Sequence, residues 1–260
     1  AAETLRAALE AEGLAIRTGA SVQAVTPGGE DAPLGVDGLR WDAVKHMPEW
    51  FFSDHANPWA AQRGLYTVGE VLHGSVDYCE RYLETGMTLM DYPLYFTMRE
   101  EVFHPEGDFR ALEGAGLVDR HPTRSMTFVS NHDSPPPEYE DLAHAFVLTY
   151  EGFPRIYSGR FDPSDPTIAT LLSIRRNLAT GPARTRLVDR DTYVFERMGT
   201  LLVGLNRARA RRSVTVSTSW DRTELTEKSA TGGSVRTDAE GLVELSLPPT
   251  GWVCYAPSSS

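Results

Sequence analysis

Three apolar runs in this 260-residue sequence end in a carboxylate: Asp42 follows VDGLRW, Glu70 follows GLYTVG and Asp133 follows MTFVSNH. In a parallel α/β barrel the reacting groups gather at the C-terminal ends of strands, so a carboxylate just past an apolar run has a reason to be there. Cleaving a glycosidic bond with retention needs one carboxylate as nucleophile and one carboxylic acid to protonate the leaving oxygen, on opposite sides of the sugar. An Asp and a Glu on adjacent strands suit that pair. Arg40, two residues before Asp42, shares its strand face and would keep the nucleophile ionised by direct hydrogen bonding. Any one of these carboxylates alone reads as an ordinary surface residue at a strand end. Their recurrence asks for another explanation.

The elements that must position them follow from the texture of the chain. From Gly35 onward, short apolar runs alternate with loops and helix-like patterns, the rhythm of βα units with a parallel sheet. Such runs lie at 35–44, at 64–72, at 88–96 paired with 125–131, and at 144–159, the last a helix leading into a strand. Residues 168–181 read as a closing helix with Ile168, Leu171, Leu172 and Leu178 on one side and Gly181 as its stop. Upstream, residues 3–12 predict a short helix and 14–25 a weak strand. After about residue 185 the pattern becomes all-β: DTYVFERM, TLLVGLNR, SVTVSTSW, SVRTDA and LVELSLPPTGWVCYAP are short strands punctuated by Gly, Pro, Asn and Asp. The expected division is residues 1–34 unassigned, 35–183 as part of a catalytic barrel, and 184–260 as a sandwich-like β domain.

Composition narrows the partners. The net charge of −11 argues against nucleic acid, which wants a basic stripe, and leaves neutral ligands such as sugars untouched. No run of about 18 apolar residues suggests a membrane span. Cys79 and Cys254 have no CxxC or Cys/His spacing, so two unpaired buried thiols are expected, with neither a zinc site nor a disulfide framework. The stretch from Ala1 is charged and helical in pattern, without the apolar segment of an export signal. Aromatic rings matter because sugars stack on them; Trp41, Trp50, Phe51, Phe52, Tyr92 and Tyr95 lie near the expected strand ends. Of these, Trp50 and Phe51, read as part of the loop after Asp42, are the preferred platforms.

Three motifs together carry a resemblance. GLRWDAVKHM (38–47), GEVLHG (69–74) and FVSNHDS (128–134) resemble, in order and spacing, the second, third and fourth signature regions of the α-amylase superfamily, glycoside hydrolase family 13. The resemblance runs from about Val36 to Pro257. It implies an α/β fold: a partial (β/α)8 TIM-type barrel, strands four to eight, followed by a small antiparallel β domain. It implies Asp42 as nucleophile, Glu70 as general acid and base, and Asp133 as a third carboxylate that binds sugar hydroxyls. Arg40 would orient Asp42, His132 would hydrogen-bond the sugar, and Lys45 and His46 would line the leaving-group side. GFPRIYSG (152–159) resembles the eighth strand; Arg155 there, with Arg40 and Asn131, matches a chloride site of some relatives, beside the plainer reading of a strand-end ion pair.

The first signature region, a strand ending in Asp followed by Asn-His, has no counterpart in this sequence, nor has the protruding domain after the third strand. With that region go most ligands of the family's calcium, leaving the His46 backbone carbonyl. An open sheet would need its edge covered by residues 1–34 or by another chain. The implied activity is retaining hydrolysis of α-1,4-glucans such as starch and maltooligosaccharides, by a secreted enzyme. The alternatives are an α-glucosidase or glucanotransferase of the same superfamily, or a truncated glucan-binding chain without turnover.

Overall fold

The computed structural model describes residues 36–157, 165–229 and 232–258. The expected helix over 3–12 and strand over 14–25 lie outside them, as do residues 158 and 159 of the expected last strand. The chain divides into two compact units, one reaching to Tyr92 and the other beginning at Pro93.

In the first unit, strands β1 (Gly38–Trp41), β2 (Tyr66–Gly69) and β3 (Thr88–Met90) form a parallel ladder in that order. Gly38 pairs with Tyr66 and Trp41 with Gly69; Gly69 in turn pairs with Leu89. Parallel neighbours need long crossovers, and helices supply both. Between β1 and β2 runs helix α1, built of Glu49–Phe51, a π-helical turn Phe52–Ala56, and Asn57–Ala61. Between β2 and β3 lies α2 (Val76–Leu83), whose N-cap Ser75 accepts from the Tyr78 N–H. All of β3, and β2 from Thr67 onward, are buried, as the strands of a parallel sheet usually are. A buried polar thread ties the elements: Trp41 Nε1 donates to Asn57 Oδ1 at 3.0 Å, and Asn57 Nδ2 donates to the Thr85 carbonyl at 2.9 Å.

Helix α3, Tyr92–Thr97 continued by a π-helical turn Met98–Val102, begins at the last residue of the first unit and runs on into the second. The run 88–96, read as one strand, therefore breaks after Met90. Pro93 lacks an N–H and has its φ preset, so it suits the first turn of a helix better than the interior of a strand. Strand β4 is only Ser125–Met126, and beyond it the chain makes an isolated parallel bridge from Phe128 to Arg155. The expected final strand is that bridge, following α4 (Glu140–Thr149). Helix α5 (Pro166–Asn177) starts earlier than expected, where Asp165 accepts from the Thr167 N–H at 2.8 Å, and it ends before Gly181.

The antiparallel region comprises β5 (Ala183–Val188), β6 (Thr192–Arg197), β7 (Leu201–Asn206), β8 (Arg212–Ser217), β9 (Glu224–Glu227), β10 (Ser234–Arg236), β11 (Leu242–Leu247) and β12 (Gly251–Pro257). Six of these form a sheet in the order β10-β9-β12-β7-β6-β5, and β11 pairs with β8. Alternate residues of the central strands feed two cores. Tyr193, Phe195, Leu201, Val203, Leu205 and Cys254 join Phe146 of α4 in one, while Val194, Leu202, Val253 and Tyr255 join Val216, Val243 and Leu245 in the other. No helix among the described residues is long and apolar enough to cross a membrane.

Candidate active site

Asp42 and Glu70 sit directly beyond the C-terminal ends of β1 and β2, side by side because Trp41 pairs with Gly69. The backbone holds them there: the Glu70 N–H donates to the Trp41 carbonyl at 2.9 Å, and the Val44 N–H donates to the Glu70 carbonyl at 3.0 Å. Between those two bonds the chain turns at Ala43, which adopts the left-handed conformation (φ 49°, ψ 36°), a costly one for a residue with a Cβ. Gly69 has no room for a side chain: a Cβ there would collide with Met87 Sδ and stand 3.0 Å from Leu89 Cδ2.

Arg40 and Asp42 share a face of β1, and the expected pairing is present, with Arg40 Nη2 at 3.0 Å from Asp42 Oδ1. The same nitrogen also donates to Glu70 Oε2. The other oxygen of Glu70, Oε1, accepts from the Tyr92 hydroxyl at 3.0 Å. The Glu70 side chain is only 10% exposed, against 23% for Asp42. Burial pushes its carboxyl above the ordinary range, the hydrogen bond with Asp42 pushes the same way, and the Arg40 charge and the Tyr92 hydroxyl pull it back. The first unit thus brings together a carboxyl that resists ionisation, a second carboxylate paired with a guanidinium, and a phenol. That combination can hold a proton on one acid while the other attacks.

Tyr92 was legible only as one of several aromatics near strand ends. The signal that could have singled it out is the one that found the carboxylates: a group able to hydrogen-bond, two residues past the apolar run of β3.

Around this pair, Lys45 donates from Nζ to the Leu72 carbonyl at 3.0 Å, linking the loops that follow β1 and β2. His46 is exposed in the 3-10 turn Val44–His46, and the Tyr82 hydroxyl steadies that loop by donating to the Met47 carbonyl at 3.2 Å. Trp50 is 54% exposed and stands edge-on to His55 with ring centroids 5.7 Å apart. Phe51, the other preferred platform, is a correction: both lie on α1 rather than in a loop, and Phe51 turns inward to pack edge-to-face on Phe52 at 5.3 Å. Trp41, Phe52, Tyr92 and Tyr95 are buried as well, so none of them offers a face to a sugar.

In the second unit, Asn131 is buried and its Oδ1 accepts the Asp133 N–H at 2.9 Å. The Asn131 N–H donates to the Ser134 carbonyl at 2.9 Å, closing a tight turn. This turn presents Asp133, 70% exposed, with His132 Nε2 at 3.0 Å from its Oδ2. Arg155 is half-buried, and its N–H donates to the Thr127 carbonyl at 2.8 Å. Among the described residues no group of three or more His, Cys, Asp or Glu could hold a metal ion. Both cysteines are free and buried, as expected, and burial pushes the Cys79 thiol up to about 12, which removes it as a nucleophile.

No protein-family model matches the chain. It is 32% identical over 142 residues to an α-amylase of Bacillus licheniformis, covering 48% of this chain and 28% of that protein. It is 28% identical over 217 residues to a cyclomaltodextrin glucanotransferase of Geobacillus stearothermophilus, covering 67% of this chain and 30% of that protein. The chain therefore spans about a third of the length of these curated relatives. Among solved structures, the α-amylase of Geobacillus thermoleovorans complexed with acarbose superposes with a TM-score of 0.73 at 21% identity, over 86% of this chain and 60% of that one. This last likeness is one of fold.

Proposed function

We propose, from the premise that this is an α-amylase-like chain, that it supplies the nucleophile and the proton donor of a retaining hydrolase of α-1,4-glucans. The observation that carries the reading is the pairing of Asp42 and Glu70 at the ends of neighbouring parallel strands, with Arg40 touching both. In the free protein the two carboxyls are within hydrogen-bonding reach of each other. A sugar ring entering between them would open the separation toward the roughly 5–5.5 Å used for retention.

Asp42, paired with Arg40, attacks the anomeric carbon. Glu70, whose carboxyl burial pushes above the ordinary range, passes its proton to the leaving glycosidic oxygen. A covalent glycosyl–Asp42 ester results, and Glu70 is left ionised. Glu70 then takes a proton from water as that water attacks the ester, which frees Asp42 and restores the acid. Asp133 and His132 are assigned sugar-hydroxyl contacts by the resemblance, Lys45 and His46 the leaving-group side, and Trp50 a stacking platform. The exposure of Trp50 supports that last role.

The same reading makes the parallel strands part of a (β/α)8 barrel, strands four onward, with the β domain beginning near residue 184. Among the described residues β1 has a strand partner on one side only, and the proposal completes that edge with further barrel strands or another chain. A secreted location and dependence on calcium or chloride rest on the resemblance, and no step above runs through either ion. A glucanotransferase is the second reading, favoured by the match to the cyclomaltodextrin glucanotransferase.

Starch and maltooligosaccharide hydrolysis with anomer analysis tests the proposal on this chain and on Glu70→Gln. The expected outcome is release of the α-anomer and a loss in kcat of about 10²- to 10⁴-fold on substitution. Release of the β-anomer, or undiminished activity of the variant, would overturn the assignment. Cyclic or transferred products would select the second reading, and absence of turnover would leave a glucan-binding chain.

A further inference from the structure

The environment of Glu70 contains an asymmetry that the proposed reaction puts to use. Oε2 is held by Arg40, and Oε1 by the fully buried Tyr92. A guanidinium has donors only, so it cannot face a carboxyl oxygen that itself carries a proton in the same direction. A phenol can donate to the carbonyl oxygen of a carboxylic acid and, more strongly, to a carboxylate.

We propose that Tyr92 is a positioning residue that holds Glu70 by Oε1 through the whole proton cycle, leaving Oε2 as the oxygen that gives and receives the proton. This rests on the retaining-hydrolase reading. When Oε2 is protonated, Arg40 gives up its bond there and keeps its contact with Asp42 Oδ1 at 3.0 Å, so the nucleophile stays paired. Tyr92 alone of these two donors then fixes the plane of the acid. When the proton has left for the glycosidic oxygen, Arg40 returns to Oε2 and steadies the new carboxylate until water restores the proton. Among the described residues, the ionisable groups that act on Glu70 are Arg40 and Asp42 from β1 and its end, and Tyr92 beyond β3. Tyr92 is well placed for constancy, since its ring is buried and Pro93 follows it in the first turn of α3.

The test uses the full chain with carbon-13-labelled glutamate carboxyls, the Glu70 resonance being the one absent from Glu70→Gln. In Tyr92→Phe its midpoint moves to higher pH, because a donor to the ionised form is gone. Site-specific 3,5-difluorotyrosine at position 92, which keeps the ring and strengthens the donor, moves it to lower pH and covers the case of a phenylalanine variant that fails to fold. In turnover, Tyr92→Phe slows aryl maltosides with poor leaving groups at least about tenfold, with KM little changed, whereas activated aryl maltosides that need no proton are spared. A midpoint unmoved by either substitution, or equal slowing of good and poor leaving groups, would overturn the proposal. A parent chain without turnover whose midpoint still moves as stated would sink the hydrolase reading and leave the anchoring of Oε1 standing.

Discussion

Glu196 on β6 and Glu70 beyond β2 are both shut away from water, one in each unit, and their surroundings could hardly differ more. Glu196 accepts from Arg186 Nε at 3.0 Å and Nη2 at 2.7 Å, from the Ser219 N–H at 3.0 Å and hydroxyl, and from the Gly199 N–H at 3.2 Å. The bulge between Thr185 and Leu187 leaves Arg186 outside the β5–β6 register, beside the carboxylate it pairs with. Every lone pair that burial would orphan has a donor. Glu70, by contrast, is set against a second carboxyl and has Arg40 only as a shared partner. A buried charge matched on all sides serves the fold; one left in conflict is available for chemistry.

The comparison can be broken from its strong side first. Glu196→Ala strands Arg186, Ser219 and Gly199 without their acceptor and should cost about 3–5 kcal/mol in urea unfolding, the range for breaking a buried pair. A loss under about 1 kcal/mol would mean that the network is ornamental. Next, Gly69→Ala drives a methyl into Met87 and Leu89 and should cost about 1–3 kcal/mol while displacing Glu70, so that activity falls further than stability alone explains. Parallel losses in both would remove Gly69 from the site.

The smallest effect is the most telling. The folded-state carboxyl of Glu70 lies above its unfolded value of 4.5, so the native state binds the proton more tightly. Its contribution to stability is complete below about pH 4.5 and is lost as pH rises through the folded value. Glu70→Gln should therefore melt higher than the parent at neutral pH, with the gain closing as the pH is lowered past that point. A variant that melts lower at neutral pH would show Glu70 to be as well matched as Glu196.

Much of this was legible before any coordinates. Asp42, Glu70 and the Arg40 pairing followed from apolar runs that end in charge, and β1 and β2 lie inside the predicted spans. What stayed hidden has physical reasons. Apolar residues at 88–96 fit a strand and a buried helix equally, and only Pro93 separates them. β5 (ARTRLV) and β9 (ELTE) carry too few apolar residues to announce themselves, because they are held by pairing to their neighbours as much as by burial. Helix α5 was begun too late because Asp165-Pro166 is a capping signal that an apolar count passes over. Phe51 was misjudged because adjacent residues on a helix face different ways, and Trp50 took the outer one.

The central strands β6, β7 and β12 send alternate side chains into two separate cores. For a lineage accumulating substitutions, that arrangement removes the neutral half of a strand. On β11, exposed and buried positions alternate, and every second one can drift. On β7 none can, since Leu201 through Asn206 are all interior. The pace of sequence change along this chain is then set strand by strand, by how many faces of each strand the fold has covered.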